Sequence, residues 1–411
     1  MLCHFSKLLN IFTGKKMRTQ RHCPICNHCE SDLLKSISFY DFDKILPSLY
    51  HIVSCNHCGF VFDDFDATEK TFQYYYQQQN KYETPGIVGG GILSAIEQNR
   101  FDFYSDLIER HLDKEATIID IGAGQGGFLK VLKHRGYKHL MAVDPSPNCV
   151  QSIKEYGLAA CCATLETFTS TQQFDLVSLT GVLEHLYDIQ IAIKRIARLI
   201  KPGGYLFVDV PDASEYSTHF LAPYYRYDQE HINHFSKHHL TNLMSWGNAQ
   251  PVEIIQKEMP FAKYHPMPSL LGLYSKKESE TELFTESSIK PDFQLKQAIV
   301  NDLIISRKED CLSFNNEGNV STAIWGIGAH TLRLLEESDL LKCNIRYFVD
   351  NNPHKTGKSI QGIPIISSSY FFDVMDKIDH VFIGSVLYGK EMAETLLNKG
   401  YKGQINLLYP H

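Results

Sequence analysis

The sequence predicts an α/β protein of more than one domain, and three observations predict it. A short apolar run ends in an acid and a cluster of glycines, Thr117-Ile-Ile-Asp120-Ile-Gly122-Ala-Gly124-Gln-Gly126-Gly127. Apolar runs then alternate with helix-spaced segments as far as Pro211. A second strand and glycine turn, Thr322-Ala-Ile-Trp-Gly326-Ile-Gly328, recurs near the end of the chain. Strands alternating with helices point to βαβ units, and glycine turns at strand ends let backbone N–H groups approach a ligand where no Cβ is tolerated. At 411 residues the chain exceeds what one core supports, so two to four domains are expected.

Composition narrows the class. With 43% hydrophobic and 21% charged residues this is an ordinary globular composition. A net charge of -7 gives no general reason to expect nucleic-acid or membrane-surface binding. No apolar run approaches the ~20 residues that span a bilayer. The expectation is a cytoplasmic protein, monomer or homodimer, with neither nucleic acid nor membrane as partner. Residues 1–17 read as a disordered extension, with Met17 as an alternative start, rather than as a signal peptide.

Of eleven cysteines, four form two C-x-x-C pairs, Cys23-Pro-Ile-Cys26 and Cys55-Asn-His-Cys58. Each pair is a knuckle able to present two thiolates to one tetrahedral zinc ion, which favours metal binding in a reducing compartment over disulfides. Cys29, His22, His28 and His57 lie close enough to leave the ligand set slightly open, but four cysteines complete a closed structural site without them. A zinc-binding lobe is expected over 18–85. Its aromatic stretch, Phe60 to Tyr82, reads as packing against the next domain or as part of a substrate pocket. Thr84-Pro-Gly-Ile-Val-Gly-Gly-Gly91 breaks regular structure, and a helix from about Ser94 to His111 leads into the glycine turn.

The turn itself fits two templates. Gly122-x-Gly124-x-x-Gly127 matches the dinucleotide fingerprint, whereas Asp120-x-Gly122-x-Gly124-x-Gly126 is the pattern of S-adenosylmethionine (SAM) enzymes. In both, an acid after the second strand binds ribose hydroxyls, and Asp144 stands 20 residues past Gly124. The downstream order separates them. Phe174 to Leu186 is a buried strand running into a loop, and Ile193, Ile196, Ala197 and Ile200 share one helix face. Lys201-Pro-Gly-Gly204 ends that helix and Tyr205 to Pro211 is the next strand.

In motif wording and order, residues 95 to 250 resemble the class I SAM-dependent methyltransferases, a Rossmann-like fold. The resemblance implies SAM as cofactor, with Asp120, Gly122 and Gly124 about its methionine part, Asp144 on the ribose hydroxyls and Thr180 lining the sulfonium pocket. The methyltransferase domain is expected over 86–250. Glu184 and His185 read as a loop pair that either organises the loop or touches ligand.

In Tyr224-Tyr-Arg-Tyr227-Asp-Gln-Glu230-His231-Ile-Asn-His234, an acid and two histidines sit among aromatic residues. A histidine titrates near neutral pH and accepts a proton, and an adjacent carboxylate fixes its tautomer. His231 is the candidate base, with Glu230, Tyr227 and His234 beside it; the bland alternative is a hydrogen-bonded cap over the SAM domain. The segment resembles the base-carrying segment of the deoxysugar C-methyltransferases, which combine a zinc lobe, a SAM domain and a C-terminal nucleotide-binding-like domain. That resemblance implies a small-molecule acceptor, a nucleotide-sugar, and C-methylation of its keto-deoxysugar through an enolate generated by His231. The chain departs from it in lacking a Pro-Leu-Ala-Asn type segment between the cysteine pairs.

Residues 251–315 read as a connecting segment, with a charged loop at Lys276 to Glu282 and a helix from Phe293 to Cys311; the boundary falls at Asn315 to Asn319. In 316–411 the acid Asp350 ends a strand 22 residues past Gly328, echoing the first turn. This C-terminal Rossmann-like domain is expected to hold the substrate nucleotide, with Gly326 and Gly328 at the diphosphate and Asn352 and Lys355 as polar and cationic contacts. His330 stands where a lysine is expected, and a scaffold or dimerisation role is the alternative. The rival activities are O-methylation of a glycan or secondary metabolite and, in another class, a non-enzymatic zinc-ribbon binding protein.

Overall fold

The computed structural model describes residues 15–78, 94–262, 265–278, 284–310, 312, 314 and 320–409. The Thr84–Gly91 break and the Asn315–Asn319 boundary lie outside the described residues, as do most of the 1–17 extension and part of the charged loop. The described chain falls into two compact units. The first draws on Met1–Lys35, His51–His219 and Glu230–Val300; the second draws on Ser36–Tyr50, Phe220–Gln229 and Asn301–His411. The stretches 36–50 and 220–229, which the sequence places in the zinc lobe and the methyltransferase domain, thus cluster with the C-terminal part of the chain.

The first unit opens with strands β1 (Lys15–Arg18), β2 (Glu30–Ser38), β3 (Leu49–Cys55) and β4 (Val61–Asp64), followed by helix α1 (Glu69–Gln78). Helix α2 (Ala95–Glu109) begins where Ser94 accepts a hydrogen bond from the Glu97 N–H, an N-cap that satisfies one orphan donor. There follow β5 (Thr117–Ile121), α3 (Gly127–His134), β6 (His139–Asp144), α4 (Pro147–Glu155), β7 (Ala159–Cys162) and β8 (Phe174–Thr180). Helix α5 (Ile189–Leu199) is capped by Asp188 and buries Ile189, Ala192, Ile193, Ile196 and Leu199. It stops one residue earlier than its spacing predicts, because Ile200 and Lys201–Gly204 are drawn into β9 (Ile200–Pro211).

After β9 come β10 (Asn233–His234), α6 (Lys237–Ser245), β11 (Ala249–Ala262) and β12 (His265–Lys276). They complete a seven-stranded sheet in the order β11-β12-β9-β8-β5-β6-β7, in which β12 alone runs antiparallel to its neighbours. The two-residue strand β10 joins a different sheet, in the order β1-β2-β3-β4-β10. It pairs antiparallel with β4, His234 opposite Val61. The segment just after Glu230 and His231 is therefore held by the cysteine lobe.

Helix α7 (Gln294–Glu309) follows, close to the span the sequence predicts. The second unit then runs through β13 (Thr322–Trp325), α8 (Ala329–Glu337), β14 (Ile345–Val349), β15 (Ser359–Ile360), β16 (Ile363–Ile366), α9 (Ser368–Val374), β17 (His380–Ile383), α10 (Gly389–Asn398) and β18 (Gln404–Leu407). Its sheet order is β15-β16-β14-β13-β17-β18, parallel except for β15. Ala323, Val349, Phe371, Val381 and Leu396 form its core. No described helix is long and apolar enough to cross a membrane.

Candidate active site

The glycine turn after β5 is shaped by backbone torsion. Gly122, Gly124 and Gly126 have φ of 74°, 53° and 76°, a region that side chains rarely adopt. A Cβ on Gly122 would lie 2.5 Å from Val182 Cγ2, so the loop after β8 packs directly on the turn. Gly126 is the N-cap of α3 and supplies no side-chain cap, which leaves the first N–H groups of that helix to a ligand. Asp144 holds the turn closed from the neighbouring strand. One carboxylate oxygen accepts from the Gly124 N–H at 2.7 Å and the other from the Ser146 N–H at 2.9 Å. Asp144 thus stands at the carboxyl end of β6, where a ribose diol is bound in such folds.

Asp120 lies deeper. It is 2% exposed and accepts a hydrogen bond from the Ser178 hydroxyl at 2.7 Å. Burial pushes its carboxyl up to about 7; the Ser178 bond opposes the rise and the charge of Asp144 adds to it. Thr180, half-buried at the end of β8, pairs across the sheet with Asp209. Sequence reasoning missed Asp209. Its carboxylate is buried and accepts from Arg100 Nη2 at 2.9 Å and from the Tyr104 hydroxyl, while its carbonyl accepts from the Gly181 N–H. This buried pair braces the Thr180–Gly181 step from α2.

A second cluster gathers about His185. Its Nδ1 lies 3.1 Å from the Tyr76 hydroxyl and 3.1 Å from the Glu230 carbonyl oxygen. The His185 and His231 rings meet edge to face, centroids 4.7 Å apart. Glu184, buried, has a carboxylate oxygen 3.9 Å from His185 Nε2, and its carbonyl accepts from the Ile232 N–H. Glu184, His185 and His231 bring one ligand atom each within 4.8 Å of one another, a donor set that suits a divalent cation. The Glu230 carboxylate accepts from the Tyr75 hydroxyl at 2.8 Å. Sequence reading left His185 open between organising its loop and touching ligand, and the aromatic stretch open between packing and a substrate pocket; the fold brings His185, Tyr75 and Tyr76 to the segment of Glu230 and His231.

The other two candidates of that segment take structural positions. His234 is fully buried in β10, its Nε2 3.3 Å from Asp63 Oδ1. Tyr227 belongs to the second unit, buried, with its hydroxyl donating to Asp302 Oδ2 at 2.9 Å. Of the expected quartet, His231 and Glu230 thus lie beside His185, Tyr75 and Tyr76, whereas Tyr227 and His234 are packed elsewhere. A side chain sealed against a buried partner has no open face for an acceptor.

The four cysteines of the two knuckles converge. Cys23 and Cys58 sulfurs lie 3.6 Å apart and those of Cys26 and Cys55 3.5 Å, all four buried. Thiolates around a zinc ion at ~2.3 Å stand about 3.8 Å from one another, so the tetrad fits zinc. Cys29, His22, His28 and His57 are not in the cluster. His239 supports the second knuckle through a 3.1 Å contact between its Nε2 and the Cys58 carbonyl oxygen, and burial lowers its pKa to about 4. Arg21 ties the lobe to the segments of Tyr187 and Ile232–Asn233. Fully buried, it donates to the carbonyls of Asp63, Tyr187 and Ile232 and to Asn233 Oδ1, and desolvation brings its pKa down to about 10.

In the second unit Asp350 repeats the arrangement of Asp144. Its carboxylate accepts from the Ile327 N–H at 3.0 Å and the Asn352 N–H at 2.9 Å. The expected phosphate contacts are turned inward. Asn352 Oδ1 accepts from the His354 N–H, and Lys355 donates to the Ile327 carbonyl with its ammonium 3.7 Å from Asp350. Gly326 has φ 93°, whereas Gly328, the N-cap of α8, has φ -86°.

Comparison with known proteins agrees with the centre of the chain. Residues 96–253 match the family profile for a methyltransferase domain. The ubiquinone biosynthesis O-methyltransferase of Bradyrhizobium diazoefficiens is 30% identical over 97 residues, 22% of this chain and 38% of that protein. The enzyme of the same name from Xanthomonas oryzae pv. oryzae is 31% identical over 124 residues, 28% of this chain and 50% of its own. The chain therefore spans half or less of the length of these curated relatives. Among solved structures, Burkholderia thailandensis 1,6-didemethyltoxoflavin-N1-methyltransferase aligns with a TM-score of 0.40 and 16% identity, over 56% of this chain and 96% of that one. The glycine turn and the acid at the end of β6 both lie within the residues, 96–253, that match the methyltransferase-domain family.

Proposed function

We propose that the protein methylates carbon on a nucleotide-linked keto-deoxysugar, using SAM. The observation that carries the reading is the His185–His231 pair, ringed by Tyr75, Tyr76, Glu184 and Glu230, with His185 on the loop that packs against the glycine turn through Val182. Gly122, Gly124, Asp144 and Thr180 would hold the cofactor, which supplies an electrophilic methyl group on sulfonium when bound. His231 takes the proton from the carbon beside the ketone, so that the C–H electron pair becomes an enolate and the proton resides on the imidazole until it passes to solvent. His185, fixed by Tyr76 and the Glu230 carbonyl, positions the His231 ring. Glu230 with Tyr75 supports the imidazolium that forms. Cys23, Cys26, Cys55 and Cys58 would hold a zinc ion, which would keep the lobe folded as a closed structural site. The lobe reaches the reaction loops through Arg21 and the β4–β10 pairing. The second unit anchors the acceptor's nucleotide, so that remote binding energy aligns the reacting carbon.

Methyl transfer to oxygen is the second reading, favoured by the names of the curated relatives, with the same histidine deprotonating a hydroxyl. Incubation with SAM and a 4-keto nucleotide sugar, or with a hydroxylated glycan, decides between them by NMR of the product. A new C–CH3 group on the keto sugar is expected. Product from the hydroxylated acceptor alone would replace C-methylation with O-methylation.

A further inference from the structure

The second unit carries a crevice that its turn chemistry alone does not explain. About 440 Å³ in volume, it opens at the carboxyl ends of β13, β14 and β17. Later strands extend the sheet first to one side of β13 and then to the other, so this is its topological switch point, where open α/β sheets bind ligands. One wall is apolar: Trp325, Phe372 and Met392. The rim is polar and acidic: Asp350, Glu391, Ser385 and Tyr388. No lysine, arginine or histidine is among the described residues that line it.

We propose that this crevice binds a nucleoside, taking the base against the Trp325–Phe372 wall and the sugar hydroxyls on Asp350 and Glu391, and that it does not read a diphosphate. The acids argue for the sugar. A carboxylate has about four acceptor sites; two on Asp350 take the Ile327 and Asn352 N–H groups and Lys355 stands 3.7 Å from Oδ2, so the sites for hydroxyls are the remainder on Asp350 and those of Glu391. Charge argues against the diphosphate. Two acids face the space, and the nearby cation, Lys355, is committed to Asp350 and to the Ile327 carbonyl. A Cβ on Gly328 would meet no atom within 4 Å, so Gly328→Ala probes the approach of a ligand to the turn without disturbing the fold. The inference deepens the reading of the second unit as the acceptor's anchor and rests on it only for its role in catalysis. An acceptor held here by its nucleoside leaves the phosphates and sugar to extend out of the crevice.

The test is calorimetry on the full-length protein, saturated with S-adenosylhomocysteine so that the methyl-donor site is filled, with uridine, thymidine and their 5′-diphosphates as probes. At least one nucleoside should bind, and its diphosphate should bind within about threefold of it. Glu391→Gln, whose carboxylate has no hydrogen bond or ion pair among the described residues, should weaken the nucleoside about tenfold. Gly328→Ala should change nothing. Binding of diphosphates without nucleosides, or its loss in Gly328→Ala, would overturn the proposal in favour of a phosphate turn, and so would absence of binding by all four probes. Binding of SAM and methyl transfer are measured separately, so failure here is distinct from failure of the methyltransferase reading.

Discussion

The two glycine turns of this protein are built on one plan and finished differently. In each, a parallel strand ends in a glycine turn, and the acid after the next strand accepts one N–H from the turn and one from two residues beyond itself: Gly124 and Ser146 for Asp144, Ile327 and Asn352 for Asp350. The first turn has three glycines in left-handed conformation, with helix α3 starting on a bare Gly126. The second has one such glycine, and a lysine fills the space beside its acid. The same backbone plan therefore rests on three left-handed glycines in one turn and places a lysine beside the acid in the other. What differs is how much of the turn the protein's own side chains occupy.

That contrast can be broken by substitution. The largest effect is expected beside the first turn. His231→Ala should lower turnover about 10²- to 10⁴-fold while SAM affinity stays within about threefold, read by methyl-transfer kinetics and calorimetry. Unchanged turnover would remove His231 as the base and leave the histidine pair a structural contact.

Glycine exchange comes next. Gly122→Ala combines an unfavourable φ with a 2.5 Å approach to Val182 and should cost about 2–4 kcal/mol and abolish SAM binding. Gly328→Ala should stay within about 0.5 kcal/mol of the parent protein. Thermal or urea melts of the two variants measure the difference; similar losses would mean that the second turn is as constrained as the first.

The two acids give a smaller, more selective contrast. Asp144→Asn and Asp350→Asn each put an amide against two N–H donors, at about 1–3 kcal/mol. Asp144→Asn alone should reduce SAM affinity, by about tenfold or more. An equal reduction with Asp350→Asn would show that the methyl donor is read at both turns.

The smallest effect is a pH slope. The folded-state pKa of Asp120 is raised to about 7, so the native protein holds that proton more tightly than the unfolded chain. Its contribution to stability is complete below the unfolded value of about 4 and is lost as pH rises through about 7. Asp120→Asn should flatten the decline in melting temperature across that window and leave the profile above it parallel to that of the parent. An unchanged slope would place the titration elsewhere.

Much of this organisation is legible in the sequence because it is local. Glycines at 122, 124 and 126 and an acid at 144 announce a strand-turn-helix and its neighbour, since spacing fixes which residues reach one turn. Two C-x-x-C pairs announce a tetrad, and the alternation of strand and helix patterns from Thr117 to Pro211 announces the sheet. The helices at 95–109 and 294–309 fall close to where their spacing puts them.

Other contacts were not legible because they join residues far apart in the chain. His185 and His231 are 46 positions apart, and Tyr76 is 109 before His185. The crowding of Tyr227, Glu230, His231 and His234 into eight residues suggested one shared site. Instead, β10 draws His234 into the cysteine lobe, and Asp302 holds Tyr227 within the second unit. Neighbours in an irregular segment point in directions set by what each packs against, which no local pattern records. By itself the sequence determined the α/β class, the two turns and the cysteine tetrad, because short-range spacing and backbone torsion are properties of the chain alone. Only the tertiary structure decided which side chains stand around His231, and which of the two turns is already filled by its own lysine, because burial and long-range pairing decide where a polar group finds its partner.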